Sequence, residues 1–149
     1  MSTRGYIGYY DPKRDRYVGS YCHFGIDNLP EYLLKYYNTF ELAKKLVDGG
    51  DMSYVGKEIG HKHDFNKPNW NWTLYYHRDR GEPWEATKPK TFLSIIDFAD
   101  FATRYNVVYV FAGGSWHYLF NKSLVPIETA KSIEEVAEDD RNRQSQGIG

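Results

Sequence analysis

With one cysteine in 149 residues, Cys22, the chain cannot close an internal disulfide, and it has no paired-cysteine zinc arrangement. Both facts point to a reducing compartment. Long apolar runs are also missing. No stretch approaches the roughly 20 residues of a membrane helix, and the N-terminus MSTRGYIGYYDPKRD lacks the continuous apolar segment of a signal peptide. Neither export nor a membrane span is expected. Lys and Arg number 19 against 20 Asp and Glu, a net charge of −1, so a polyanion would have to be held by a local pocket or patch. The chain has no Walker loop, dinucleotide fingerprint, Gly-x-Ser-x-Gly elbow or His-Glu-x-x-His zinc helix. Cys22 and His23 are neighbours, so on a strand they face opposite sides and cannot act together as nucleophile and base.

Aromatic residues are abundant instead, at 17% with 14 tyrosines, which favours sheet and tyrosine-lined surfaces. GYIGYY (5–10) and RYVGSYCH (16–23) flank the turn starter Asp11-Pro12 and predict an antiparallel hairpin. Gly8 and Gly19 within it mark close approach, either to make room for neighbouring aromatics or to open a floor for a planar ligand. Pro30 opens a helix that runs through an Asn38-Thr39 interruption to Val47 and stops at Gly49-Gly50. Lys35, Lys44 and Lys45 form its solvated side, with phosphate contact as the alternative. Residues 51–57 read as a helical turn or loop, 70–79 as a strand and 85–90 as a surface loop. A second helix is capped by Thr91 or Ser94 and carries apolar residues to Tyr105. VVYVFA (107–112) and SWHYLF (115–120) form a second hairpin about Gly113-Gly114.

The expected fold class is therefore α+β: a mainly antiparallel sheet of about five strands with two main helices packed on one face. Residues 1–130 form one domain, and 131–149 form a short acidic helix and a flexible C-terminal tail.

The stretch 60–83, GHKHDFNKPNWNWTLYYHRDRGEP, holds three of the five histidines and a dense charge cluster. Alternation along a strand would put Trp70, Trp72, Leu74, Tyr76 and Arg78 in one row. On that reading Asp79 faces away from Arg78, whose partner must be a carboxylate of another segment or a ligand phosphate. Replacing Arg78 by Lys should then weaken binding with little change in Tm. The arginine forks of Arg4, Arg78 and Arg80 suit phosphate or carboxylate. His23, His63 and His77 add charge or hydrogen bonds, and Asp79 and Glu82 can aim the arginines or accept from a ribose or base. These eight residues are the candidate ligand-binding set. An ion-pair lattice that only fixes the strand end accounts for the same arginines and carboxylates. His61 and His63 with Asp64 allow a metal site, but their spacing is common by chance, and neither metal nor cofactor is assigned.

Ser2-Thr3-Arg4 leading to Ile7-Gly8, Tyr21-Cys22-His23 before a proline-started helix, Gly60 to Phe65, and His77-Arg78-Asp79-Arg80-Gly81-Glu82 together resemble a family of small uncharacterised bacteriophage and prophage proteins, over roughly residues 2–120. Phe24 to Pro30 departs from the family's turn after the histidine. The resemblance implies a viral protein in the host bacterial cytoplasm and carries no activity with it. The leading expectation is a phage accessory protein that binds a phosphorylated nucleotide-type ligand, sequestering a host immune signal as counter-defence. A phosphodiesterase or nuclease using two histidines as acid and base in the same pocket is the enzyme alternative. Inhibition of a host protein by surface contact, through the acidic residues Glu134 to Asp140, is the third. A homo-oligomer is compatible with all three.

Overall fold

Alternation in the first hairpin gives its two faces different side chains, and each face acquires its own helical cover. A computed structural model describes residues 4–127. Strands β1 (Gly5–Asp11) and β2 (Arg16–Phe24) pair antiparallel, with Gly8 opposite Gly19. Ile7, Tyr9, Val18 and Cys22 project to one side. There they pack on helices α1 (Leu29–Tyr36) and α2 (Phe40–Asp48) through Leu33, Ala43, Leu46 and Val47. Tyr6 projects to the other side with Val108 and Val110, under Phe98 and Ala102 of helix α5 (Ile95–Ala102). The expectation that the helices share one face is thus corrected. Both rows of the central strands are apolar, so each needs cover.

The expected mainly antiparallel sheet of about five strands is also corrected: the sheet is larger and more mixed. Among the described residues it has eight: β1, β2, β3 (Met52–Tyr54), β4 (Leu74–Tyr75), β5 (Lys90–Phe92), β6 (Val107–Ala112), β7 (Ser115–Phe120) and β8 (Ser123–Pro126). Their order is β4-β3-β2-β1-β6-β7-β8, with β5 beside the first part of β2. The β1–β6 and β2–β3 pairs are parallel and the rest antiparallel. Helices α1 and α2 form the crossover that lets β3 lie parallel to β2. The segments expected as a turn (51–57) and a loop (85–90) in fact hold β3, the short helix α4 (Trp84–Thr87) and the start of β5.

β3 and β5 share one edge of β2, and the Tyr21 N–H between them bonds to neither. Asp51 fills the gap: its carboxylate accepts from Tyr21 N at 3.1 Å, its N–H donates to Thr87 O and its carbonyl accepts from Tyr76 N. Burial raises the Asp51 carboxyl above the ordinary carboxylate value, partly offset by the Tyr21 N–H and by Lys90.

The Asn38-Thr39 interruption separates two helices. Thr39 is extended and its side chain accepts from Leu42 N, an N-cap that starts α2 afresh. Gly8 and Gly19 offer no floor for a ligand. A Cβ on Gly19 would lie 2.3 Å from the Tyr6 ring, and one on Gly8 would lie 2.8 Å from Phe98, so protein aromatics already fill that space. The acidic helix and tail expected at 131–149 lie outside the described residues.

Candidate ligand-binding groove

Residues 70–79 are not one strand. Only Leu74 and Tyr75 pair with β3, and the chain then turns into helix α3 (Tyr76–Arg80). Gly81 ends the helix at φ 80°, its N–H donating to His77 O at 3.0 Å. The helical turn defeats strand alternation, so Arg78 and Asp79, expected to face apart, are bonded to each other. Arg78 Nε donates to Asp79 Oδ1 at 2.9 Å and Nη2 to Oδ2 at 3.1 Å.

Each partner is also saturated by backbone. Arg78 Nη1 donates to Ile59 O (2.9 Å) and Gly60 O (3.3 Å), and Nη2 to Thr73 O (2.6 Å). Asp79, its side chain 0% exposed, accepts from Tyr75 N at 2.8 Å and His63 N at 3.1 Å. The guanidinium also lies over the Tyr75 ring at 4.8 Å. This pair ties three segments together: the 59–63 loop, Thr73 and α3. His63 joins it through its backbone, while its Nδ1 bonds His61 O at 2.8 Å and its ring packs on Trp72. The buried His63 Nε2 has no hydrogen-bond partner among the described residues.

The other candidates lie elsewhere. Arg80 pairs with Glu82 at 2.7 Å and sits over the Phe65 and Tyr76 rings. His77 is exposed, its Nδ1 on Glu82 O at 2.7 Å. Arg4 and His23 flank the registered Gly5–Cys22 pair, at one end of the central hairpin. There Arg4 bonds Asn106 and His23 bonds the Tyr21 hydroxyl. The eight residues thus fall into three groups: His63, Arg78 and Asp79; His77, Arg80 and Glu82; Arg4 and His23.

Two of them, His77 and Arg78, line a groove of about 800 Å³ between α2 and the α3–α4 turn. Lys44, Lys45 and Asp48 of α2 form one wall, and His77 and Trp84 the other. Lys13, from the β1–β2 turn, also lines the groove, with Phe40, Tyr75 and Ile59 as apolar surface. The His77 and Trp84 rings, centres 5.1 Å apart and inclined at 60°, make an aromatic corner, with Trp84 38% exposed. Lys44 is engaged with Asp48 at 2.6 Å, and Asp48 also accepts from Tyr9 Oη at 2.6 Å. Among the described residues Lys13 and Lys45 form no ion pair, against one free carboxylate in the lining, Glu41. A cationic wall beside an aromatic corner suits a ligand with both an anionic and a planar part.

Sequence reasoning assigned Lys45 chiefly to a solvated helix face and left Lys13 and Trp84 outside the set. Trp84 carried a signal, a tryptophan just after the charged cluster and Pro83; Lys13, in a turn some thirty positions before α2, carried none. Cys22 is fully buried and its thiol is pushed up to about 12 by burial, so it supplies no thiolate. Comparison with protein-family models, curated proteins and solved structures gives no match.

Proposed function

We propose that this protein binds a small phosphorylated, base-bearing ligand of the nucleotide type in the groove between α2 and the α3–α4 turn. The observation that carries the reading is that the Trp84–His77 corner lines one groove with Lys13 and Lys45, cations free of ion pairs among the described residues. A base stacks on the indole, a contact worth about 1–3 kcal/mol per base, and the lysines meet the phosphate. Arg78 contributes by holding the wall in place, since its donors are already taken. Binding fits this groove better than cleavage by paired histidines: His77 is the one imidazole in its lining. In the phage setting that the sequence resemblance implies, tight binding without turnover sequesters a host signal.

Calorimetry with purified protein and a panel of mononucleotides tests the reading. At least one is expected to bind and be recovered unchanged, and Trp84→Ala and Lys45→Ala are each expected to weaken it about ten-fold, roughly 1.4 kcal/mol. Absence of heat across the panel, or affinity that neither substitution alters, would remove the groove from consideration.

A further inference from the structure

The groove continues past Lys45 and Ile59. Both residues also line a second hollow of about 420 Å³, bordered by Tyr36, Lys57, His61 and Trp72. The second hollow repeats the chemistry of the first. His61 meets Trp72 edge to face, with ring centres 5.5 Å apart at 87°, as His77 meets Trp84 at 5.1 Å and 60°. Lys57, like Lys13 and Lys45, forms no ion pair among the described residues, while Glu58 is the opposing carboxylate. Trp72 is fixed there by Gly60, at φ 68°, where a Cβ would lie 2.2 Å from the indole. The chain keeps this position free of a side chain so that the ring can pack on backbone.

Pockets that take one small ligand have volumes of roughly 300–1,000 Å³, so either hollow alone has room for one base with its sugar. Two tryptophan–histidine corners with Lys45 shared between them exceed what a mononucleotide needs. We infer that the ligand is of dinucleotide type, two bases joined through phosphate, with one base in each corner and the linking phosphate at Lys45. This rests on the reading of the first groove as a nucleotide site and specifies the ligand class. Single-stranded nucleic acid offers the same two groups, and the length of the bound species tells the two apart.

The test is calorimetry with AMP, the dinucleotide pApA and an eight-residue oligoadenylate. The dinucleotide is expected to bind at least about ten-fold tighter than AMP, the gain of one further stacked base. His61→Ala and Lys57→Ala, both at exposed positions, should bring pApA to within about three-fold of AMP while leaving AMP unchanged. The oligoadenylate should bind no more than about three-fold tighter than pApA. Equal binding of AMP and pApA, or equal loss of both in the two variants, overturns the inference and leaves the mononucleotide reading standing. An oligoadenylate at least about ten-fold tighter than pApA overturns it in favour of nucleic acid. Failure of all three probes to bind removes both.

Discussion

Arg78 and Asp79, adjacent in sequence, form a two-pronged ion pair within the α3 helical turn, 2.9 and 3.1 Å between donor and acceptor. Neighbours on a strand could not do this. The pair neutralises a carboxylate that has no exposure of its own and presents Arg78 to three carbonyls on two other segments. Arg78 is therefore a clamp, and substitution at this position should change stability first.

Arg78→Lys keeps the charge and loses the planar fork, so one ammonium must serve acceptors now met by three nitrogens. The expected cost is about 2–3 kcal/mol, from buried acceptors left unpaired. Denaturant melts should show a lower midpoint at unchanged slope, with nucleotide affinity of the folded fraction unchanged. This reverses what a strand reading expects. Asp79→Asn should cost more, about 3–5 kcal/mol, because it leaves the guanidinium largely buried without a counter-charge. A double-mutant cycle showing no coupling between the two positions would exclude the clamp.

Gly19→Ala should destabilise by about 1–3 kcal/mol through overpacking, since its Cβ would enter the Tyr6 ring. Tyr6→Leu in the same chain should recover part of that loss. Gly114→Ala meets nothing within 4 Å and costs only what its φ of 85° imposes, about 1 kcal/mol. Thermal melts of the four proteins separate crowding from backbone strain.

Cys22 is fully enclosed and its thiol donates to Phe24 O at 3.4 Å. At mildly alkaline pH a thiol reagent should label the folded protein on the order of a thousand-fold more slowly than the denatured chain. Labelling at the denatured rate would mean that the hairpin opens readily at its β3 edge.

The Asp51 carboxyl is raised by burial in the folded chain, so folded protein holds this proton to higher pH than unfolded protein does. Stability from this group is full below the unfolded value of about 3.9. It falls as pH rises through the folded value. Asp51→Asn can still accept from Tyr21 N and shows no such fall. The Tm difference in favour of the variant should grow across that window and level off above it. A difference constant from about pH 3 to about pH 7 would show that the carboxyl is unperturbed.

The two hairpins and the Ser94-capped helix were legible because alternation and capping are local. Ser94 Oγ accepts from Asp97 N at 3.1 Å, and Val107–Ala112 pairs with Ser115–Phe120 about Gly113-Gly114 as the pattern implies. β3, β4, β5 and β8 have two to four residues each, too few to display a period, so the sequence pattern alone implies a smaller and more nearly antiparallel sheet. Parallel pairing of β1 with β6 leaves no mark on either strand. The 70–79 misreading has a different cause: aromatic composition favours strand, but the Arg78–Asp79 pair and a left-handed Gly81 favour a helical turn. His77 and Arg78 of that turn line the groove, whereas Arg80 and Glu82 do not. The groove itself joins Lys13, Lys45 and Trp84, residues of three elements that meet only in the fold.

The seam between β1 and β6 matches Gly5 with Val107 and Tyr9 with Phe111. During synthesis the β1 flank of the first hairpin therefore leaves the ribosome unsealed, waiting for about ninety residues to be added. At about 5–20 residues per second, that flank stays open for roughly 5–20 s in a nascent chain that carries aromatic side chains on both faces. Slow translation at a fixed temperature should lengthen this interval and send more of the product into inclusion bodies, even where the finished protein is stable.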